Sequence, residues 1–184
     1  MFALSLLAIA LSLLPQFVLS AAILPHGPHH EARNSSSVEK RTTEIIYICN
    51  CKRWTPLNAN DWYPASYVAW YADWTFSNDG ENPDAITYEY RDWSQGGSTI
   101  TFEGLEQDFT WPSSGAIAYI HIASNGLNVG SGNYAGFLWR YNLGAWQQFN
   151  CYLDNYRTLF NNDVVDANGQ YPYLHCNSLY WCTY

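Results

Sequence analysis

Positive charge is scarce in this 184-residue chain: eight Lys and Arg stand against sixteen Asp and Glu, a formal net charge of −8. A surface so poor in cations repels phosphate backbones and anionic membranes, which disfavours nonspecific nucleic-acid binding. Strong helical periodicity is also missing, since no stretch of twelve or more residues carries a marked 3.6-residue period. Strong catalytic signatures are absent as well; there is no Gly-x-Ser-x-Gly and no His-Glu-x-x-His. "GSGNYAG" (Gly130–Gly136) has no helical pattern behind it and so does not read as a phosphate-binding loop. "DVVDANG" (Asp163–Gly169) contains an Asp-x-Asn-Gly fragment, but Val164 stands where a calcium loop needs an acidic ligand and no Glu closes it. Both stretches read as β-turns.

What is present begins with the ends of the chain. The one long apolar run, MFALSLLAIALSLLPQFVLS, occupies residues 1–20. Val18 and Ser20 precede Ala21 at the −3 and −1 positions of a signal-peptide cut, and Ser5, Ser12, Pro15 and Gln16 interrupt the run against its being an anchor. Residues 21–41 hold three of the five histidines, two prolines and a Ser triplet, with no aromatic residue. Such a segment buries too little apolar surface to order itself. It carries the Asn34-Ser35-Ser36 glycosylation sequon and ends on Lys40-Arg41. The expected organisation is a signal peptide (1–20), a pro-segment released at Lys40-Arg41 (21–41) and a single mature domain (42–184). This layout resembles that of the kexin-processed small secreted proteins of filamentous fungi, which implies secretion into the extracellular space. After Arg41 five basic residues (Lys52, Arg53, Arg91, Arg140 and Arg157) face fourteen acids, a balance of −9.

All nine Trp, all fifteen Tyr and six of the eight Phe follow Arg41. With few charges and scattered Gly, Asn and Asp turns, that composition reads as all-β: a compact, disulfide-stabilised sandwich or barrel with at most one short helix. Strands are expected at Glu44–Cys51, Tyr67–Trp74, Ile86–Trp93, Ser98–Phe102, Ala116–Ser124, Gly136–Tyr141, Gln147–Leu153 and Ser178–Cys182, and a short helix at Asn155–Phe160. Turn signals lie at Asn78-Asp79-Gly80, Gln95-Gly96-Gly97, Asn125-Gly126 and Asn168-Gly169. In Ala116–Ser124, Ile117, Tyr119 and His121 fall on one face, Ile120 and Ile122 on the other. Because Leu, Ile and Val are comparatively few, most of the aromatics are expected in the core.

Five cysteines, Cys49, Cys51, Cys151, Cys176 and Cys182, make disulfides the default in a secreted chain. Cys49 and Cys51 share a strand face, about 6.6 Å apart, too far to pair readily with each other. At least one is expected to reach the C-terminal group, closing a loop worth roughly 5 kcal/mol of chain entropy. The odd cysteine is either free and buried or links two chains as a dimer. With only His121 and His175 left to complete a ligand set, neither a metal nor another cofactor is expected.

Tyr47-Ile48-Cys49 resembles the aromatic-x-Cys signature near the mature N-terminus of powdery-mildew effector candidates, many of which are similar to microbial guanyl-specific ribonucleases that have lost their catalytic residues. An active nuclease would need a carboxylate base, a His acid and an Arg on the phosphate; Glu103, His121, His175 and Arg140 are the candidates, and the −9 balance opposes RNA capture. Glu103, Glu106 and Asp108, flanked by Phe102, Phe109 and Trp111, form the densest acidic cluster. Paired carboxylates beside rings suit glycoside hydrolysis, although an exposed acidic turn between strands is the plainer reading. The segment Phe149–Cys182 resembles small secreted β-barrel toxins of crystallin-like fold, which implies a similar fold. The resulting expectation is a secreted, effector-like or toxin-like protein that binds a protein or glycan target without catalysis. It spans no membrane and takes no nucleic acid. A small secreted hydrolase, of glycans or RNA, and an aromatic-rich lectin are the competing expectations.

Overall fold

The computed structural model describes residues 44–55, 58–165 and 172–184, all within the unit Glu39–Tyr184. The expected signal peptide and pro-segment, with Asn34 and Lys40-Arg41, and the turn signal at Asn168-Gly169 lie outside the described residues. Among the described residues nine strands form one curled antiparallel sheet, a half-barrel. They are β1 (Ile45–Thr55), β2 (Asn58–Tyr71), β3 (Ala85–Ile86), β4 (Glu106–Thr110), β5 (Ile117–Ile122), β6 (Tyr134–Asn142), β7 (Ala145–Leu153), β8 (Thr158–Asp163) and β9 (Tyr173–Thr183). Their order is β3-β2-β1-β9-β7-β6-β5-β4, with β8 added to the free edge of the first half of β9. Among the described residues a single short α-helix, α1 (Trp74–Asn78), follows β2 and is capped by the Asp73 carboxylate, which accepts from Thr75 N at 3.0 Å.

The alternation of β5 sets the pattern for its half of the sheet. Ala118, Ile120 and Ile122 are buried inside the curl, while Ile117, Tyr119 and His121 face outward. The inner core gathers these with Ile46, Ile48, Phe109, Leu138, Phe149 and Tyr180. Strand β1 is buried on both faces. Its other side, with Tyr47, Cys49 and Cys51, joins Tyr67, Tyr71, Leu159 and Phe160 in a second core, against which Phe76 of α1 packs. Strand β9 serves both cores through a bulge. Ile48 pairs with Tyr180 and the next residue, Cys49, with Ser178, so Leu179 is extra and the strand's facing reverses there. Cys176 therefore lies in the second core and Cys182 in the first.

Each core holds one disulfide. Cys51–Cys176 ties the N-terminal strand to β9, as expected for one member of the Cys49/Cys51 pair, and Cys151–Cys182 ties β7 to β9. Cys49 is unpaired and fully buried, which leaves it no surface thiol for a bridge between chains.

Several local expectations change. Thr158–Asp163 is strand β8, not the end of a helix: Tyr156 adopts φ 62°, which breaks helical geometry, and Leu159 and Phe160 are drawn into the second core. Glu106–Thr110 is a strand and not an acidic turn, because Phe109 is anchored in the inner core while Glu106 and Asp108 face water. Of Ile86–Trp93 only Ile86, together with Ala85 before it, joins a ladder, and Tyr90 makes an isolated bridge to Ser66; Ser98–Phe102 contributes just an isolated Asp92–Ser98 bridge, and the Asp92 side chain caps a 3-10 turn at Trp93–Gln95. The aromatic core is built from Phe and Tyr more than Trp. Trp111 alone of the nine Trp is buried, whereas Trp62, Trp74, Trp93 and Trp146 are exposed.

Candidate functional site

The elements that cover the second core, α1 and β8, lie over the β2-β1-β9 half of the sheet and leave the outer face of β4–β7 open. Period-2 alternation fills that face with rings. β6 presents Phe137, Trp139 and Tyr141 outward, opposite Leu138 and Arg140, which point into the curl. Cross-strand pairs place Tyr119 beside Trp139 and Tyr141 beside Trp146. Trp146 meets Trp139 edge-on at 6.4 Å and Tyr141 at 4.9 Å, and Tyr152 stacks on Trp181 at 4.4 Å. Trp146 is 57% exposed and Tyr141 36%.

Two predicted site residues meet at the β4 edge of this face. Glu106 and His121 are register partners, and His121 Nδ1 lies 3.1 Å from Glu106 Oε1. The imidazole stacks on Phe137 at 4.8 Å. Hydrogen bonds from Tyr119 and then from His121 hold the Glu106 carboxyl below its usual range, and the same bond raises the Tyr119 phenol. Glu106 is thus an exposed, ionised acceptor. The pair stands on an open face rather than in a cleft that excludes water.

The other predicted residues are not brought to it. Glu103 accepts from the hydroxyl of Tyr180, a residue of the inner core, so it caps a buried tyrosine on the far side of the sheet from Glu106. His175 lies on β9 and pairs with Asn161 Oδ1 of β8 at 3.0 Å. Arg140 points inside the curl, so the sheet lies between its guanidinium and His121. The carboxylate–His–Arg set of a ribonuclease is not assembled.

A second feature was not expected from the sequence. At one mouth of the half-barrel, the end of β2, β3, the turn between β4 and β5 and the end of β6 enclose a cleft of about 170 Å³. Trp70, Asp84, Trp111, Ser113, Arg140 and Asn142 supply most of its chemistry. Behind it the Glu44 carboxylate, 4% exposed, accepts from Arg140 and from the Trp70 indole N–H. Arg140 also donates to Gln147 Oε1 at 2.6 Å and lies over the Phe149 ring. The guanidinium is therefore neutralised and held in place, as a buried ion pair requires. The Trp111 N–H is enclosed without a protein acceptor. These residues come from segments far apart in the chain, which leaves no local signal to read.

The cysteine sulfurs make a third cluster. Those of Cys49, Cys51 and Cys176 lie within 4.8 Å of one another, with Cys49 Sγ 3.9 Å from Cys51 Sγ. Burial pushes the Cys49 thiol up to about 12, and the thiol donates to Tyr67 O at 3.4 Å. With two of the sulfurs bonded to each other, the set is a packed bridge beside an inert thiol, not a metal centre. No family model, curated protein or solved structure matches this chain.

Proposed function

We propose that this protein acts outside the producing cell by binding, without catalysis, and that the open face of β4–β7 docks a protein surface rich in Lys and Arg. The observation that carries this reading is the outward ring array in which Tyr141 and Trp146 are exposed and Phe137 and Trp139 half-buried, edged by the carboxylates of Glu106 and Asp108. Tyr and Trp are the residues that interface centres favour, because they bury much area at little entropic cost. The mature chain's basic residues are engaged elsewhere. Lys52 lies over Trp62, Arg53 pairs with Glu89, Arg91 lies over Tyr63 and Trp93, Arg140 pairs with Glu44, and Arg157 with Asp154. Rings and carboxylates without a fixed cation complement guanidinium and ammonium groups. The two disulfides are compatible with the extracellular setting that the signal-like N-terminus implies.

A displayed peptide library selected against the expressed protein tests this reading. Selected sequences should pair Lys or Arg with apolar residues, and should lose binding to a Tyr141→Ser/Trp146→Ser variant. They should tolerate Trp93→Ser, which removes an exposed ring elsewhere. Binders indifferent to the Tyr141/Trp146 change would sink the docking face. Turnover of RNA or a polysaccharide that disappears in Glu106→Gln, His121→Ala or Glu103→Gln would instead establish a hydrolase.

A further inference from the structure

The mouth cleft is separate from the open face, since Arg140 and Asn142 project to the inner side of β6 while Tyr141 projects outward. We propose that this cleft is a second binding site, and that it takes one neutral sugar ring. Size sets the first limit. A volume of about 170 Å³ is well below the ~300–1,000 Å³ of sites for drug-sized molecules, so the occupant is a single small ring. Wall chemistry sets the second. Trp70 gives the accessible apolar surface, against which the C–H face of a sugar packs, while Trp111 and Ala116 line the cleft as buried residues with little area exposed. Asp84, Ser113 and Asn142 give a rim of hydrogen-bonding groups for hydroxyls. Asp84 spends one carboxylate oxygen, Oδ2, on Ala72 N at 2.8 Å and keeps the other for a ligand.

Charge sets the third limit. Arg140 would draw an anion into the cleft were its guanidinium unmatched, but Glu44 already neutralises it and Asp84 adds a carboxylate at the rim. A carboxylate or phosphate ligand would therefore meet net repulsion, whereas neutral hydroxyls can donate to Asp84 and accept from Asn142. An apolar ligand would leave those rim groups unpaired on binding. A sugar ring satisfies both the Trp70 indole and the rim. The Trp111 N–H is enclosed, so this residue senses occupancy through its surroundings instead of by direct reach.

Indole N–H resonances of the ¹⁵N-labelled protein provide the test, during titration with glucose, galactose, mannose, N-acetylglucosamine, their methyl glycosides and glucuronate. Saturable shifts of Trp70 and Trp111, with Trp146 unmoved, are expected for at least one neutral sugar, and none for glucuronate. Asp84→Asn and Asn142→Ala, both at the cleft rim, should each weaken that sugar roughly fivefold through loss of hydrogen bonding. Tyr141→Ser/Trp146→Ser should leave it unchanged, so failure of the docking face and failure of the cleft are read separately. Retention by the methyl glycoside assigns the cleft to the end of a glycan, and loss assigns it to the free sugar. The absence of any saturable shift with neutral sugars, a response to glucuronate alone, or affinity indifferent to both rim substitutions would each overturn the proposal.

Discussion

Replacing each disulfide by a pair of alanines isolates how much of the stability comes from tying distant segments together. Cys51–Cys176 closes 125 residues of sequence and Cys151–Cys182 only 31. Both join residues directly opposite one another on neighbouring antiparallel strands, and all four cysteines are nearly or fully buried. The local environments are therefore matched and the difference falls on loop length. In the chain-entropy model the long loop is worth about 5 kcal/mol and the short one about 3.7 kcal/mol. Cys51→Ala/Cys176→Ala should then cost about 1.2 kcal/mol more than Cys151→Ala/Cys182→Ala. With a urea m-value of ~1–3 kcal/mol/M, the two midpoints separate by roughly half to one molar, the first variant unfolding earlier. Equilibrium urea curves followed by Trp fluorescence measure this directly. Equal midpoints, or an earlier transition in the Cys151/Cys182 variant, would refute the argument that loop closure dominates.

Two further outcomes follow from buried titrating groups. At pH 8 a thiol with its pKa near 12 is ionised in only about one molecule in ten thousand, so iodoacetamide should leave native Cys49 unmodified and label it once per chain in denaturant, read by intact mass. Prompt native labelling would contradict its burial. Burial also raises the phenols of Tyr67 and Tyr71 above their ordinary value of 10.0. Above that pH the unfolded chain loses protons that the folded chain keeps, so these phenols should make stability fall as pH rises past 10, adding to the fall that the raised Cys49 thiol contributes from about pH 9. Tyr67→Phe/Tyr71→Phe should flatten the alkaline limb of a thermal-melt profile; an unchanged slope would show that these two phenols do not set it.

Strand alternation made much of the sheet readable from the sequence. In β1 the assignment of Ile46 and Ile48 to one face, and of Cys49 and Cys51 to the other, holds because the strand is buried on both sides and its register has no freedom to slip. Strand β4 was obscured because three of its five residues, Glu106, Gln107 and Asp108, have low strand preference, and the single anchor, Phe109, carries it. Strand β8 was obscured in the same way by Asn161, Asn162 and Asp163, being held by its pairing with β9. The Glu106–His121 pair depends on that unread strand: both residues stood out individually, but only the β4–β5 register sets them opposite one another. The cleft was beyond reach for a different reason. Trp70, Trp111 and Arg140 are ordinary residues in their local sequences, and curling of the sheet is what brings them to one mouth.

The distribution of tryptophan bears on why half of one sheet face is uncovered. If the rings of β5–β7 served only folding, they would be expected on the inner face, yet that side is filled by Ala118, Ile120, Ile122, Leu138 and Phe149. The outward positions of the same strands carry Tyr119, Phe137, Trp139, Tyr141 and Trp146, where polar residues would support solubility equally well. An edge-to-face contact of Trp139 with Trp146 and a tilted one of Tyr141 with Trp146 limit the exposed area of these rings and bias their orientation before any partner arrives. A pre-ordered ring array loses little side-chain entropy on docking. The inner core thus stabilises the half-barrel, while the outer face carries an ordered ring array of the kind the proposed docking role requires. Replacing Trp146 alone should consequently change recognition far more than it changes the melting temperature.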